Sequence, residues 1–496
     1  MGRKIISDFQ LKKCEKKEWQ LDRISQLPDE ILVCILSFLS LEAAARTSLL
    51  SKRWAHLWLS VASLDFESAK LLKGIEGLNL LLKSDREIRR GYRQKYVDWV
   101  NKVIQSRRDS VLDVFRIHYH LDKSFGDDID KWLQYAFAKR VQRLSLDLLQ
   151  LDYEMSYAFP CHLFGLSDGN GSSLSVSASR ANHINSDVLF GLKTLRALTF
   201  SCVNVSGGVL EFFLHNCPFL EYMLVDSSGG LKELKVVGPS LALKHLVIIY
   251  CAYLLSLVVR DTNIVSLTTT SGYSLVLENV PMLVDVHVAG TPTGTGRWSR
   301  ANFVEKAISW ISCCLSKLEA LTLELQDWQV EYMHDWQLEV AKKRETNAEL
   351  PQLTKLKQLT LSVSVPRKRS LIAFTSLIRA SPNLEKFVMK SVMSRTPRKE
   401  WPRKIRRASI VGVPHEHLKV VEFWGHYGRR LDVEILDYFV KNSVALEKVV
   451  VDPRDRGYLD NRPRGDYFDE EDPVFKNSVK QGLRAFLPDH VELVFL

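Results

Sequence analysis

One spacing dominates the chain: an apolar residue, two of any kind, an apolar residue, one of any kind, and a third apolar residue. It occurs at Val141-Leu144-Leu146, Leu195-Leu198-Phe200, Leu220-Met223-Val225, Leu231-Leu234-Val236, Leu243-Leu246-Ile248 and Leu254-Leu257-Val259. It continues at Leu283-Val286-Val288, Leu318-Leu321-Leu323, Leu356-Leu359-Leu361, Leu384-Phe387-Met389, Leu418-Val421-Phe423 and Leu446-Val449-Val451, with a weaker copy at Ile264-Leu267-Thr269. The alternation inside each match predicts a short strand with one face in a core. Between Leu220 and Leu254 successive starts lie 11 or 12 residues apart, which leaves room for strand plus turn only; later starts lie up to 38 apart. The longer units carry helical stretches, Val209 to Leu220, Leu371 to Leu384 and Val433 to Leu446, with Pro218 or Pro382 ending two of them.

The first sixty residues obey a different period. Ile31, Leu32, Ile35, Leu36 and Leu39 follow helical spacing, Pro28 opens that helix, and Asp29 and Glu30 favour its positive end. Val33, Cys34 and Phe38 fill the other side, so the helix needs cover on two faces, one from its own domain and one open to a partner. Ser40 caps a second helix through Glu42 to Leu50, and Ser51 a third carrying Lys52, Arg53, Trp54, Leu57 and Trp58. Three helices this short make little independent core.

At these residues the chain resembles an F-box: Leu27-Pro28-Asp29-Glu30-Ile31-Leu32, the Ile35-Leu36-Ser37-Phe38-Leu39 run, and the closing Ser51-Lys52-Arg53-Trp54 with Leu57-Trp58. The resemblance implies docking to a Skp-type adaptor and, through it, to cullin and RING subunits. By carry-over Leu27, Pro28, Ile31, Leu32, Ile35, Leu36, Leu39, Leu41, Trp54, Leu57 and Trp58 form the module. The sequence does not separate adaptor contacts from core. The repeated strands match leucine-rich repeats. Trp58 to Phe66, Ile129 to Trp132, Val141 to Asp147 and Asn216 to Glu221 resemble plant F-box proteins with such repeats, and His417 to Gly425, Leu436 to Asn442 and Leu446 to Val449 resemble an FBD-type segment. The Gly/Ser-rich insert 167–179 and the basic stretch before His415 depart from that family.

The expected fold is α/β: a small three-helix F-box, then an irregular leucine-rich-repeat solenoid with parallel strands on one face and helices or turns on the other. Expected boundaries are a polar tail at 1–20, the F-box at 21–60, a linker and cap at 61–135, repeats at 136–410 and FBD-like repeats with a cap at 411–496. The implied function is substrate recognition in a Skp-cullin-F-box ubiquitin ligase, marking a target protein for degradation. Outward strand residues Thr199, Glu233, Lys235, Thr322 and Thr360 are candidates for the target-facing side.

Composition adds little except in one place. The chain has 496 residues, 46% of them hydrophobic and 25% charged, which suits a protein with a sizeable core. Its net charge of +10 is concentrated between Arg367 and Arg407, where thirteen Lys/Arg face two Glu. Arg398, Lys399, Arg403, Lys404, Arg406 and Arg407 can serve as a solvated loop, a nuclear import signal, or a patch for nucleic acid or an acidic partner; Asp466, Asp469, Glu470, Glu471 and Asp472 can also neutralise them. That patch supplies the alternative function, a nucleic-acid- or acidic-partner-binding scaffold. Direct nucleic-acid contact ranks below the ligase reading.

The polar start, Met1 to Trp19, and the shortness of the longest apolar run, Leu246 to Val259, point away from a membrane span or secretion and towards nucleus or cytoplasm. Ile6 spoils a myristoylation motif after Gly2. The eight cysteines form no CxxC and read as reduced. No cofactor, metal or catalytic group is expected. Gly165-Leu-Ser167-Asp-Gly169 fits a nucleophile elbow, but a loop-like Asn170-Gly-Ser-Ser follows where a helix is required. Gly294-Thr-Gly296 lacks a third glycine. His118 with His120, and His415 with His417, lack further ligands at metal-binding spacing.

Overall fold

The computed structural model describes residues 24, 26–67, 86–107, 112–149, 156–164, 191–290, 303–325, 351–364, 375–392, 414–425, 430–452 and 473–496. They fall into two compact units, one up to Thr199 and one from Phe200 on.

In the first unit, helix α1 (Asp29–Leu36) starts at Pro28, with Asp29 and Glu30 in its first turn. Helix α2 (Leu41–Arg46) is capped by Ser40, whose Oγ accepts from the Ala43 amide at 3.3 Å. Their core is Leu32, Leu36, Ala44, Trp54, Leu57 and Val61, with Leu27, Val33 and Trp58 packed against it. The expected third α-helix does not form. Residues 52–56 are turns and Leu57–Ser60 is a 3-10 helix. Trp54 and Leu57, the two side chains that must enter the core, stand three residues apart, which matches the 3-10 period. Arg53 closes the module, donating from Nη2 to Leu27 O at 2.5 Å and from Nε to Asp29 Oδ1 at 2.9 Å.

The segment expected as linker and cap, 61–135, carries strands of its own among the described residues. Strand β1 (Ser63–Glu67) begins two residues after the core residue Val61 and pairs in parallel with β2 (Val114–His118), which pairs with β3 (Arg143–Asp147). Helices α3 (Arg86–Ser106) and α4 (Gly126–Ala138) connect them. Arg107, just past α3, donates from Nη1 to Val61 O at 2.8 Å. The array therefore starts about two strands earlier than the apolar pattern indicates, and its first strand is continuous with the F-box core.

Strand β4 (Ala197–Ser201) runs across the division between the units. In the second unit α5 (Gly207–Asn216) is followed by β5 (Tyr222–Asp226), β6 (Glu233–Val237), β7 (His245–Ile249), β8 (Ser256–Arg260), β9 (Ser266–Thr270), β10 (Ser274–Glu278) and β11 (Asp285–Ala289). Then come α6 (Phe303–Trp310), β12 (Ala320–Leu325), β13 (Gln358–Ser364), α7 (Thr375–Arg379), β14 (Lys386–Val392), β15 (Val420–Trp424), α8 (Arg430–Asn442), β16 (Lys448–Asp452), α9 (Pro473–Phe486) and β17 (Glu492–Phe495). Strands β5, β7, β9 and β11 to β17 form one parallel sheet in that order, with leucine-type positions in register.

The 11- and 12-residue spacings do not stack as neighbours in that sheet. The matches at β6 and β8 belong, with β10, which carries no match, to a separate three-stranded parallel sheet. One coil of chain is thus two strands long: Tyr222 pairs with His245, and Glu233 with Ser256. Where the connections from β11 to β12, β13 to β14 and β15 to β16 carry helices, these return through a strand, and α5 packs beside β6. The reversals rest on residues with positive φ directly after strands: Cys202, Ser227, Tyr250, Asp261 and Asn279. Cys202 N donates to Asp226 O at 2.9 Å, Ser227 N to Ile249 O at 3.0 Å and Asp261 N to Glu278 O at 3.1 Å, so these three bent residues still pair with the next coil. The weak copy is a full strand: Thr269, buried at a core position, bonds to the Tyr273 hydroxyl.

Candidate functional site

Two surfaces can be built from these elements. On the F-box, helical spacing distributes an almost wholly apolar helix between two environments. Leu32 and Leu36 are 0% and 1% exposed, whereas Ile31, Ile35, Phe38 and Leu39 are 48%, 40%, 84% and 44% exposed. Leu49 and Leu50, at the end of α2's following 3-10 turn, are 87% and 68% exposed. Apolar side chains this open within so small a module mark a binding surface.

The carried-over residues divide accordingly. Leu32, Leu36, Leu41, Trp54 and Leu57 are core; Leu27 and Trp58 are half-buried against it; Pro28, Ile31, Ile35 and Leu39 face solvent. Phe38, Leu49, Leu50 and Ile24, the last 57% exposed, join that open set although no site role was assigned to them from sequence. Their signal was available: each is a large apolar residue that the local core has no position for.

The second surface is the outward face of the large sheet. Thr322 of β12 and Thr360 of β13 lie side by side in register, with His287 of β11 on Thr322's other side. Glu233 and Lys235 do not belong with them. They are exposed on β6, in the second sheet, because the chain reverses between coils. Thr199 is half-buried on β4 in the first unit. Diagonal to His287, Glu324 is fully buried, and its Oε2 stands 3.6 Å from His287 Nε2. Asp285, two residues before His287, has its carboxyl pushed up by partial burial, an effect opposed by His287 and His245.

The histidine pairs have structural roles. His118 Nδ1 meets Asp147 Oδ2 at 2.8 Å and His120 Nδ1 meets Arg93 Nη2 at 2.6 Å. His415 is buried and bonded to the Tyr438 hydroxyl at 2.8 Å, and burial pulls its pKa down to about 4. Burial pushes the Cys251 and Cys314 thiols up to about 12, which leaves them poor nucleophiles. Among the described residues no His/Cys/Asp/Glu group could hold a metal ion, and no helix is long and apolar enough to cross a membrane. Of the basic stretch, Lys386 is engaged with Glu422 at 2.8 Å and Lys390 lies over the Trp424 ring. Arg398, Lys399, Arg403, Lys404, Arg406 and Arg407, the acidic group at 466–472, Gly165 to Gly169 and Gly294 to Gly296 lie outside the described residues.

A module of six core residues followed at once by in-register parallel leucine strands agrees with the family comparison. The family model described as At1g61320/AtMIF1, LRR domain matches residues 107–486, and the F-box domain model matches 24–65. The chain belongs to the F-box/leucine-rich-repeat family. An FBD-associated F-box protein of Arabidopsis thaliana, At5g38590, is 30% identical over 227 residues, covering 45% of this chain and 49% of the relative. A putative F-box/FBD/LRR-repeat protein of the same plant, At5g62970, is 27% identical over 54% of this chain and 62% of its own length. The F-box/FBD/LRR-repeat protein At4g26340 is 25% identical over 87% of this chain and 93% of its own. Against the first two relatives, then, the match spans about half to three-fifths of their length.

Proposed function

We propose that this chain is the substrate-recognition subunit of a Skp-cullin-F-box ubiquitin ligase, acting in the nucleus or cytoplasm. The F-box holds a Skp-type adaptor through Ile31, Ile35, Phe38, Leu39, Leu49 and Leu50, and the adaptor links it to cullin and RING subunits. The outward face of the leucine strands holds the target protein. The chain makes and breaks no bonds; it contributes proximity, raising the effective concentration of a target lysine near the charged conjugating enzyme.

The observation that carries this reading is the set of exposed apolar side chains on a module whose own core is complete without them. A surface of this kind makes binding largely insensitive to salt, whereas a scaffold acting through the basic 367–407 segment binds with steep salt dependence. The test is co-purification of the full chain with a Skp-type adaptor at low and high salt, with Leu27→Ala/Pro28→Ala beside wild type. A salt-resistant complex weakened in the variant supports the ligase reading. Absence of a complex in both proteins overturns it and leaves the basic segment as the working surface.

A further inference from the structure

The F-box surface explains the adaptor end of the chain but says nothing of what the array recognises. The outward positions of β9 and β11 to β13 are unusual for a chain with a net charge of +10. On β9 they are Ser266, Thr268 and Thr270; on β11 Asp285, His287 and Ala289; on β12 Ala320, Thr322 and Glu324; on β13 Gln358, Thr360 and Ser362. Two carboxyl groups and seven hydroxyl or amide side chains stand there, with no lysine or arginine.

Glu324 sets this region apart from an ordinary solvated face. It is 0% exposed, and neither Oε1 nor Oε2 has a hydrogen-bond partner; His287 Nε2, 3.6 Å away, is also unsatisfied. On the adjacent strand Ser362, in register with Glu324, is 2% exposed and its Oγ has no partner. Buried polar groups are nearly always paired, because an unpaired one forfeits its bonds to water and gains none. A buried carboxyl with both oxygens open, beside an open hydroxyl, is an acceptor set without its donor.

We propose that the outward face around Glu324, Ser362 and His287 binds a guanidinium or ammonium group on a side chain of the target protein, an arginine or lysine. The carboxyl takes the charge, Ser362 and the flanking Thr322 and Thr360 take further N–H donors, and Asp285 extends the negative field along β11. Arginine suits the arrangement better than lysine, since its forked donors address two carboxyl oxygens at once. His287 keeps 20% of its side chain exposed, and its Nε2 stands 3.6 Å from Glu324 Oε2, beyond hydrogen-bond reach. This inference rests on the target-binding role proposed for the array.

The test titrates the full chain, alone and in complex with its adaptor, with N-acetyl-arginine amide, and with N-acetyl-glutamine amide as a neutral control. For one anchoring group of that size the expected Kd is on the order of 1 mM, read by calorimetry or ligand-observed NMR. Glu324→Gln keeps the shape but removes the charge, and weakens the arginine probe at least tenfold. Glu324→Leu abolishes its binding and raises the Tm by several degrees, because an unpaired buried acceptor has been exchanged for an apolar group. Ser362→Ala, the milder change, weakens the probe a few-fold and keeps the fold in any event. Absence of arginine binding to wild type, or equal binding by wild type and Glu324→Gln, overturns the inference. Adaptor binding measured on the same proteins separates the two claims: a chain that binds the probe but no adaptor keeps this site and loses the ligase reading.

Discussion

Replacing Phe38 and Leu50 together with alanine separates the adaptor-facing surface from the core beneath it. Phe38 is 84% exposed and Leu50 68% exposed, so the folded module gains little from either ring or isobutyl group. Complete burial of such a side chain is worth about 1.5–3 kcal/mol. Scaled by the area each has left to lose, burial beneath an adaptor is worth about 2 kcal/mol for Phe38 and about 1.5 kcal/mol for Leu50. Both together amount to about 3.5 kcal/mol, a loss of a few hundred-fold in affinity. Exposed substitutions change stability by about 0.5 kcal/mol or less, so the Tm stays in place. The assay is calorimetric or surface-plasmon titration of the full chain with a Skp-type adaptor, alongside a thermal melt of each protein. A change in Kd of less than about fivefold, with an unchanged melt, refutes the assignment of this surface.

Two further outcomes follow from the interior. His415 is held neutral, with a pKa lowered to about 4 from its ordinary 6.5, so the stabilisation linked to it is complete above pH 6.5 and is lost as pH falls from there towards 4. Thermal melts across that range should show Tm falling with acid in wild type and a shallower fall in His415→Gln; equal slopes contradict the linkage. Gly425, at φ +71, brings its backbone so close to Ser391 that a Cβ would stand 2.1 Å from that carbonyl oxygen. Gly425→Ala therefore costs about 3 kcal/mol or more, read as a loss of denaturation midpoint, and an unchanged midpoint contradicts the packing described between β14 and β15.

The F-box was legible in sequence because it is written locally: Leu-Pro, an apolar helix and a Ser-Lys-Arg-Trp close within forty residues. Its division into core and surface was not. Ile31 and Leu32 are neighbours of similar hydrophobicity, and only the placement of Trp54 and Leu57 decides which of them is covered. The strands from β3 to β16 other than β10 were legible for the same local reason, down to the weak copy ending at Thr269. Their assignment to two sheets was hidden, because β6 and β8 carry the same apolar spacing as β5 and β7. What separates them is the turn after each strand: after β5, β7 and β8 Ser227, Tyr250 and Asp261 take positive φ with no glycine to announce the bend, and only after β6 does a glycine, Gly238, take it. The early start of the array escaped notice because β1 and β2 lie inside segments that resemble a connection. Glu324 was passed over since an outward polar position on a strand looks solvated in sequence, and its burial depends on the assembled face.

The central claim is that α1 and the turn after α2 form a docking surface for a Skp-type adaptor while the array stays free for another protein. Hydrogen exchange of the full chain with and without that adaptor tests it most directly. The predicted result is slowed exchange confined to residues 28–50, with strands β12 to β16 unchanged. Unchanged exchange across 28–50 in a saturated complex, or protection centred on the array strands, would contradict it.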